Sequence, residues 1–472
     1  MMPRSVARLL RRLMLHYGRR MNPERMLARS LQGALRTAAR AAGHSQAYRQ
    51  LLREQGLHPA TIGSSTEWTS LPILGKANTF ERFTLNELAR PVAPTELADV
   101  LTSSGRSGRS YGFRLTGRRQ HESAWFDIDL GLQDVFDVDR VATLLVNCLP
   151  MGVVFHSRAV TVANVSVRED MAISILRDVG PRFAQTVLCA DPLFIRCLLA
   201  EARVAGVDWT QLNTSVIMGE EVLVEAQRDY IAARMGIDID GDSGRIIGSS
   251  FGVGELGLNL LFETRATIRM RRAMRTMRSN GAEAESLPSL FCFNPLRCHV
   301  EVLSPDADGF GELCITMLDP HAVITLPRYA TGDVGKLLDR AACAELATLA
   351  ATSVPWLPVV AVRGRIKDRP PGMPSVEQIK ELIYTDHAVA DQLTGAFRLA
   401  LDARGLPMLT LQAHSDAVGS YAALIDRLQA LNALNIHARP PGQQLAIEVL
   451  APNAFPWRPL LDYERKFAYV AA

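Results

Sequence analysis

Val141-Ala142-Thr143-Leu144-Leu145-Val146-Asn147-Cys148 is a near-continuous apolar run, the pattern of a strand buried on both faces. Outward from it the segments alternate. Pro192–Ala205 reads as a helix, Ser215–Met218 as a short strand, Val224–Met235 as a helix and Arg245–Ile247 as a strand again. Such alternation predicts a largely parallel, helix-covered sheet. Upstream, residues 25–60 read as helices, with Met26, Leu27, Leu31, Leu35 and Ala38 at helical spacing. Downstream, residues 286–340 turn β-rich, with Cys292–Phe293, His299–Leu303, Glu312–Thr316 and Ala322–Leu326 as expected strands. The texture changes again after Arg363-Gly364-Arg365. A Pro/Gly-rich turn is followed by helix Val376–Tyr384, strands Phe397–Leu401 and Met408–Ala413, helix Ala417–Asn432 and strand Leu445–Leu450. The expected class is α/β. It comprises a basic helical arm (1–40), a large N-terminal domain (41–364) of helix-covered mixed sheets with a β-rich subdomain, and a small C-terminal α+β domain (365–472).

At 472 residues the chain is too long for one ordinary core. Apolar residues at 48% and charged residues at 21% give the balance of a soluble globular protein. No apolar stretch reaches the ~20 residues of a membrane-spanning helix. Seven scattered cysteines do not form a disulfide framework and point to a reducing, cytoplasmic setting. The net charge of +3 is uneven: residues 1–40 hold ten arginines and one acid, Glu24, which leaves −6 for the rest. No nucleic acid is therefore expected on the body. The arm has the charge to touch nucleic acid or anionic lipid, and it also fits an organelle transit peptide. It lacks the apolar region of a secretory signal. Its plainest reading is an amphipathic first helix with a solvated basic face. Basic residues divide into 47 arginines and five lysines: Lys76, Lys336, Lys367, Lys380 and Lys466. A lysine kept where arginine is the default is a candidate for chemistry that a guanidinium cannot copy.

Three segments carry candidate chemistry. Thr102–Ser110 is a run of hydroxylic, glycine and arginine residues (Ser103, Ser104, Gly105, Arg106, Ser107, Gly108, Arg109) whose backbone N–H groups can turn toward phosphate. It is not the P-loop of NTPases, because no Gly-Lys-Ser/Thr ends it. Ile247–Glu255 follows a strand, where α/β sheets place ligand crevices; Phe251 can stack on a base and Glu255 can share a magnesium ion with phosphates. Arg328-Tyr329-Ala330-Thr331-Gly332-Asp333 places an acid after a Thr-Gly turn, where it can accept from both ribose hydroxyls. Taken singly, each is also what a glycine-rich loop or turn produces.

Their order and spacing resemble the adenylate-forming superfamily of acyl-CoA synthetases, peptide-synthetase adenylation domains and beetle luciferases. The phenylacetate–CoA ligase branch is the nearest in kind. Gly219-Glu220-Glu221 corresponds to the family's Gly-x-Glu, Phe251-Gly252-Val253-Gly254-Glu255 to its aromatic-Gly-x-Ser/Thr-Glu, and Arg363–Lys367 to its hinge. Tyr463-Glu464-Arg465-Lys466-Phe467 resembles the segment bearing the catalytic lysine. The branch rests on Tyr48–Lys76, which ends in Leu71-Pro72-Ile73-Leu74-Gly75-Lys76.

The resemblance implies ATP-dependent activation of a small carboxylic acid to an acyl-adenylate, then transfer to coenzyme A. A carrier protein or an amine is the alternative acceptor, and a nucleotide-binding homologue with weakened catalysis is a second alternative. In these roles Lys466 bridges carboxylate and phosphate, and Glu255 binds Mg2+. The 103–108 loop, Gly219–Glu221, Phe251 and Gly252 line the nucleotide, and Asp333 holds the ribose with Arg365 nearby. Lys367 is the hinge of a mobile C-terminal domain. Phe155, His156 and Gly254 are candidates for the acyl pocket, and a homodimer is a further implication. The chain departs from the pattern at Arg106 and Ser107, where the family has Thr-Thr, and at Gly254, where it has Ser/Thr. An alternative register puts Leu461 in the place of the lysine.

Overall fold

The computed structural model describes residues 3–63, 66–103, 111–150, 152–241, 244–278, 286–415, 421–435, 445–457 and 467–470. The apolar run becomes β3 once the hairpin β1 (Leu97–Thr102) and β2 (Phe113–Gly117) is counted ahead of it. β3 (Thr143–Asn147), β4 (Thr161–Asn164), β5 (Gln185–Ala190), β6 (Thr214–Met218) and β7 (Ile247–Val253) are parallel, and every β3 side chain is buried. β8 (Gly257–Phe262), β9 (Ser289–Phe293), β10 (Cys298–Leu303), β11 (Gly311–Met317), β12 (Tyr329–Leu338) and β13 (Val359–Arg365) are antiparallel to their neighbours.

Among the described residues the two sets form one eleven-stranded sheet, ordered β10-β11-β12-β13-β9-β8-β7-β6-β5-β3-β4. The parallel region and the β-rich region expected from sequence thus meet at β7, which pairs parallel to β6 and antiparallel to β8. β14 (Leu393–Leu401), β15 (Pro407–Ala413) and β16 (Ala446–Leu450) make a separate small sheet. The helix Val376–Thr385 leads into it, begun by a capping box between Ser375 and Gln378.

Two expectations need correction. Ala322–Leu326 is not a strand: it makes an isolated bridge, Ala89 to Ile324, between Pro320 and Pro327, and prolines cannot donate to a ladder. The strand expected at Arg245–Ile247 instead runs from Ile247 to Val253, through the glycine motif, because partners on both sides outweigh the weak strand preference of glycine.

The core explains how the units are held. One apolar cluster joins Leu144, Val146, Leu188 and Val216 of the parallel strands to Ile379, Leu382, Phe397, Leu409 and Tyr469 of the C-terminal part. A second joins Ala34, Ala38 and Ala41 of the helix Pro23–His44 to Phe291, Val300, Leu313 and Val360. Among the described residues no helix is long and apolar enough to cross a membrane.

The helix Pro192–Val204 is capped by Asp191, whose carboxylate accepts from Leu193 N–H at 2.9 Å and Phe194 N–H at 3.0 Å. Burial pushes this carboxyl up to about 7, with Glu221 and Glu220 adding to the rise. The folded chain therefore binds one more proton than the unfolded chain between about pH 4 and pH 7. Stability from this group falls as pH rises through that window. Asp191→Asn keeps the cap and removes the titration. The difference in urea midpoint between pH 5 and pH 8 is expected to be smaller in the variant.

Candidate functional site

The strands β3, β5 and β6 end on a common edge, and in parallel sheets the crevice beyond those ends is where ligands lie. A cavity of about 660 Å³ opens there. Gly219–Glu221 leave the end of β6, with Gly219 N–H bonded to Ala190 O at 2.9 Å and Glu220 in the left-handed region (φ 69°). Ser249–Glu255 form another wall. The opposite wall comes from the antiparallel strands. Asp333 on β12 lies directly across the ladder from Arg365 on β13, with Arg365 Nε 3.9 Å from Asp333 Oδ1. Register alone thus brings together two motifs 32 residues apart. Just before Asp333, β12 bulges against β11 at Gly332 (φ 76°), whose N–H donates to Glu312 at 3.2 Å.

The front of the chain reaches the same place through Arg328. Its buried guanidinium forks onto Glu301 (3.1 Å to each oxygen) and donates to Thr69 O and Leu71 O. Leu74 then bridges Tyr329, with Leu74 N–H on Arg328 O and Ala330 N–H on Leu74 O, both at 2.8 Å. This docking sets Lys76 against the buried Glu255, Nζ to Oε1 at 3.1 Å. Burial, reinforced by the neighbouring Glu255 carboxylate, pushes the Tyr329 hydroxyl well above its usual range.

Ser103, Gly219, Glu220, Glu221, Phe251, Gly252, Gly254, Glu255, Asp333, Arg365, Lys367 and Phe155 all line this one cavity. Ser103 N–H donates to Gly112 O at 2.9 Å, and Gly112 N–H donates to Ser103 Oγ at 3.1 Å. Ser104, Gly105, Arg106, Ser107 and Gly108 lie outside the described residues, as do Lys466 and Leu461. His156 does not line the cavity. In the stretch Val153–His156 burial alternates, which turns Phe155 inward and leaves His156 exposed with its ring 5.1 Å from that of His121.

Gly254 has a steric explanation. A Cβ there would lie 2.8 Å from Ser103 Cβ and 3.0 Å from its Cα, so the missing hydroxyl reflects close approach of the two chain segments. Gly254→Thr is accordingly expected to destabilise the fold by about 1–3 kcal/mol, as overpacking does. It should lower, not raise, any activity of the site, a point that denaturation and rate measurements on one preparation decide.

The sequence reading missed two side chains. Lys380, buried in the helix Val376–Thr385, donates to Glu221 Oε2 at 2.6 Å, and the Tyr469 hydroxyl donates to the same oxygen at 2.7 Å. The scarcity of lysine was the available signal for Lys380; nothing in the sequence marks Tyr469. The far end of the cavity is apolar. The helix Arg118–Phe136 presents Ile128, Gly131, Leu132 and Val135 on one stripe, and Leu145, Val187 and Ile217 face it from β3, β5 and β6.

No protein-family model matches the sequence, and no curated protein matches it. Solved structures do. A 2-hydroxyisobutyryl-CoA ligase in the postadenylation state, in complex with R3-HIB-AMP, is similar over 95% of this chain and 89% of that one, with a TM-score of 0.65 at 13% identity. The chain has the fold of a CoA ligase. The same ligase in complex with 2-HIB-AMP and CoA in the thioesterification state superposes less closely, with a TM-score of 0.53 at 14% identity over 96% of this chain and 90% of that one. Within this CoA-ligase fold the cavity has two chemically distinct ends, one charged and one apolar.

Proposed function

We propose that the chain activates a carboxylic acid with ATP, releasing pyrophosphate, and passes the acyl group from the adenylate to a thiol, coenzyme A. The observation that supports this most is the single cavity in which a charged end, built from Glu255, Lys76, Asp333 and Arg365, adjoins an apolar slot. Joining two anions requires charge neutralisation and positioning above all. Asp333 accepts from the ribose hydroxyls, Phe251 packs by the adenine, and Ser103 with the loop that follows it binds phosphate. Lys466 bridges the acid and the phosphate as pyrophosphate leaves.

Magnesium belongs to this reading. Among the described residues no group of three or more His, Cys, Asp or Glu side chains is placed to cage a metal ion. One buried carboxylate, Glu255, fits a hard cation that takes its other oxygens from phosphates. Such an ion would supply charge neutralisation at the phosphates.

The closer superposition on the postadenylation form supports reading the present placement of the described residues beyond Gly364 as that of the first half-reaction. In this placement Lys380 and Tyr469 hold Glu221. Residues 365–472 then act as a small domain that turns about Lys367 for the thiol step. At that boundary Gly364 has φ 107°, a conformation that favours glycine.

The slot also selects the acid. Its stripe Ile128, Gly131, Leu132 and Val135 carries no charge, so the preferred substrate is a monocarboxylic acid with an apolar tail. In acid-dependent ATP–pyrophosphate exchange, aliphatic or aryl acids are expected to exceed dicarboxylates of equal length by about 100-fold or more, since a second carboxylate would be buried unpaired. Gly131→Leu fills the slot and is expected to lower kcat/KM for the longest accepted acid by about tenfold or more, with short acids spared. Equal use of dicarboxylates would refute the tail assignment, and no exchange with any acid would refute the activity.

A further inference from the structure

The first helix, Arg4–Gly18, has two faces that do different things. One face is docked. Ala7, Arg11 and Leu15 are buried, Arg11 pairs with Asp129 (3.5 Å) and Asp139, and just beyond the helix Arg19 pairs with Asp134 at 2.7 Å. Asp129 and Asp134 belong to the helix Arg118–Phe136, the wall of the apolar slot. The opposite face carries Val6, Leu9, Leu10, Leu13, Met14 and Tyr17, each between 39% and 62% exposed. These positions recur at i, i+3, i+4, i+7, i+8 and i+11, which is one continuous stripe. Arg4, Arg8 and Arg12 stand exposed on the flank between the two faces, Arg12 in a groove with Asp134 and Asp137, and residues 1–23 contain no acid.

We propose that this stripe is a docking surface for an anionic lipid bilayer, the helix lying flat in the interface with its leucines in the acyl boundary and its arginines among the headgroups. A helix with an apolar stripe on one exposed side and arginines on its other exposed side is what that environment takes up. A second copy seated on the stripe would set two arginine-rich helices, with no acid in residues 1–23 of either, side by side against their charge repulsion. A nucleic acid would engage the arginines and leave the leucines in water. The docked face holds the helix rigidly on the body, so the slot helix lies beneath the membrane-facing one.

The test is flotation of the full chain with phosphatidylglycerol-containing vesicles and with pure phosphatidylcholine vesicles. Association is expected with the anionic vesicles and to be about tenfold or more weaker with the neutral ones. The double variant Leu9→Asp/Leu13→Asp, and separately Arg8→Glu/Arg12→Glu, should each raise the lipid concentration for half-binding by about tenfold or more. Both pairs are exposed, and an unchanged thermal midpoint certifies the fold; if one pair fails to fold, the other pair decides. Three outcomes overturn the proposal: no association of the native chain with anionic vesicles, association that the aspartate pair leaves unchanged, or a dimer that the aspartate pair dissolves while vesicles are ignored. Binding of DNA without binding of vesicles also overturns it.

Discussion

Glu255→Gln is expected to lower acid-dependent pyrophosphate exchange by about 10²–10³-fold, the scale lost when a preorganised charge at a reacting centre is removed. The carboxylate is buried, paired with Lys76 at 3.1 Å and packed by the Tyr329 hydroxyl, so its position is set before any ligand arrives. Glutamine keeps the shape and removes the charge, which leaves the Lys76 ammonium unbalanced beside the site. Lys76 is partly exposed, so water relieves much of that imbalance and the thermal midpoint should move little. The variant therefore separates chemistry from folding. Exchange within a factor of about three of the native rate would remove Glu255 from the reaction.

The second large effect concerns stability. Arg228→Met is expected to cost about 3–5 kcal/mol in urea unfolding, because it leaves two buried carboxylates short of a counter-charge: Glu225 keeps Arg271 and Arg272, but Glu263 keeps only Arg271 at 3.9 Å. Arg228 is fully buried and lies 3.0 Å from both Glu225 and Glu263, and it also donates to Ile247 O on β7. Burial opposes ionisation of Glu225, yet Arg228, Arg271 and Arg272 together hold its carboxyl down to about 2. Glu263 goes the other way: burial pushes it up against the pull of Arg228 and Arg271. The network thus ties β7, which carries the Ser249–Glu255 wall, to the helices Glu225–Met235 and Arg265–Arg278. The deficit should shrink at acid pH, where the stranded carboxylates take up protons. A cost below about 1 kcal/mol at pH 7 would mean that the cluster is solvated and not structural.

This network also shows why part of the fold escapes a reading by periodicity. The helix Arg265–Arg278 is held by Arg271 and Arg272 as well as by the buried Ile268 and Met270, and arginines interrupt its apolar pattern so that it is not announced. The strands and helices of the C-terminal part were legible, because short apolar strands there alternate cleanly with amphipathic helices. The motif residues on β6, β7, β12 and β13 were legible as candidates. Their convergence was not, since it depends on the pairing of Asp333 with Arg365 and on the seating of Leu74 against Tyr329. The partnership of Glu221 with Lys380 and Tyr469 joins residues 159 and 248 positions apart, which sequence spacing does not encode.

The measurement that bears most directly on the central claim is mass-spectrometric capture of the product formed from ATP, magnesium and an apolar-tailed acid in the absence of any thiol. The expected result is an acyl-adenylate, with pyrophosphate released in equal amount and neither formed by Glu255→Gln. Release of ADP and phosphate, or hydrolysis of ATP indifferent to the acid, would contradict it.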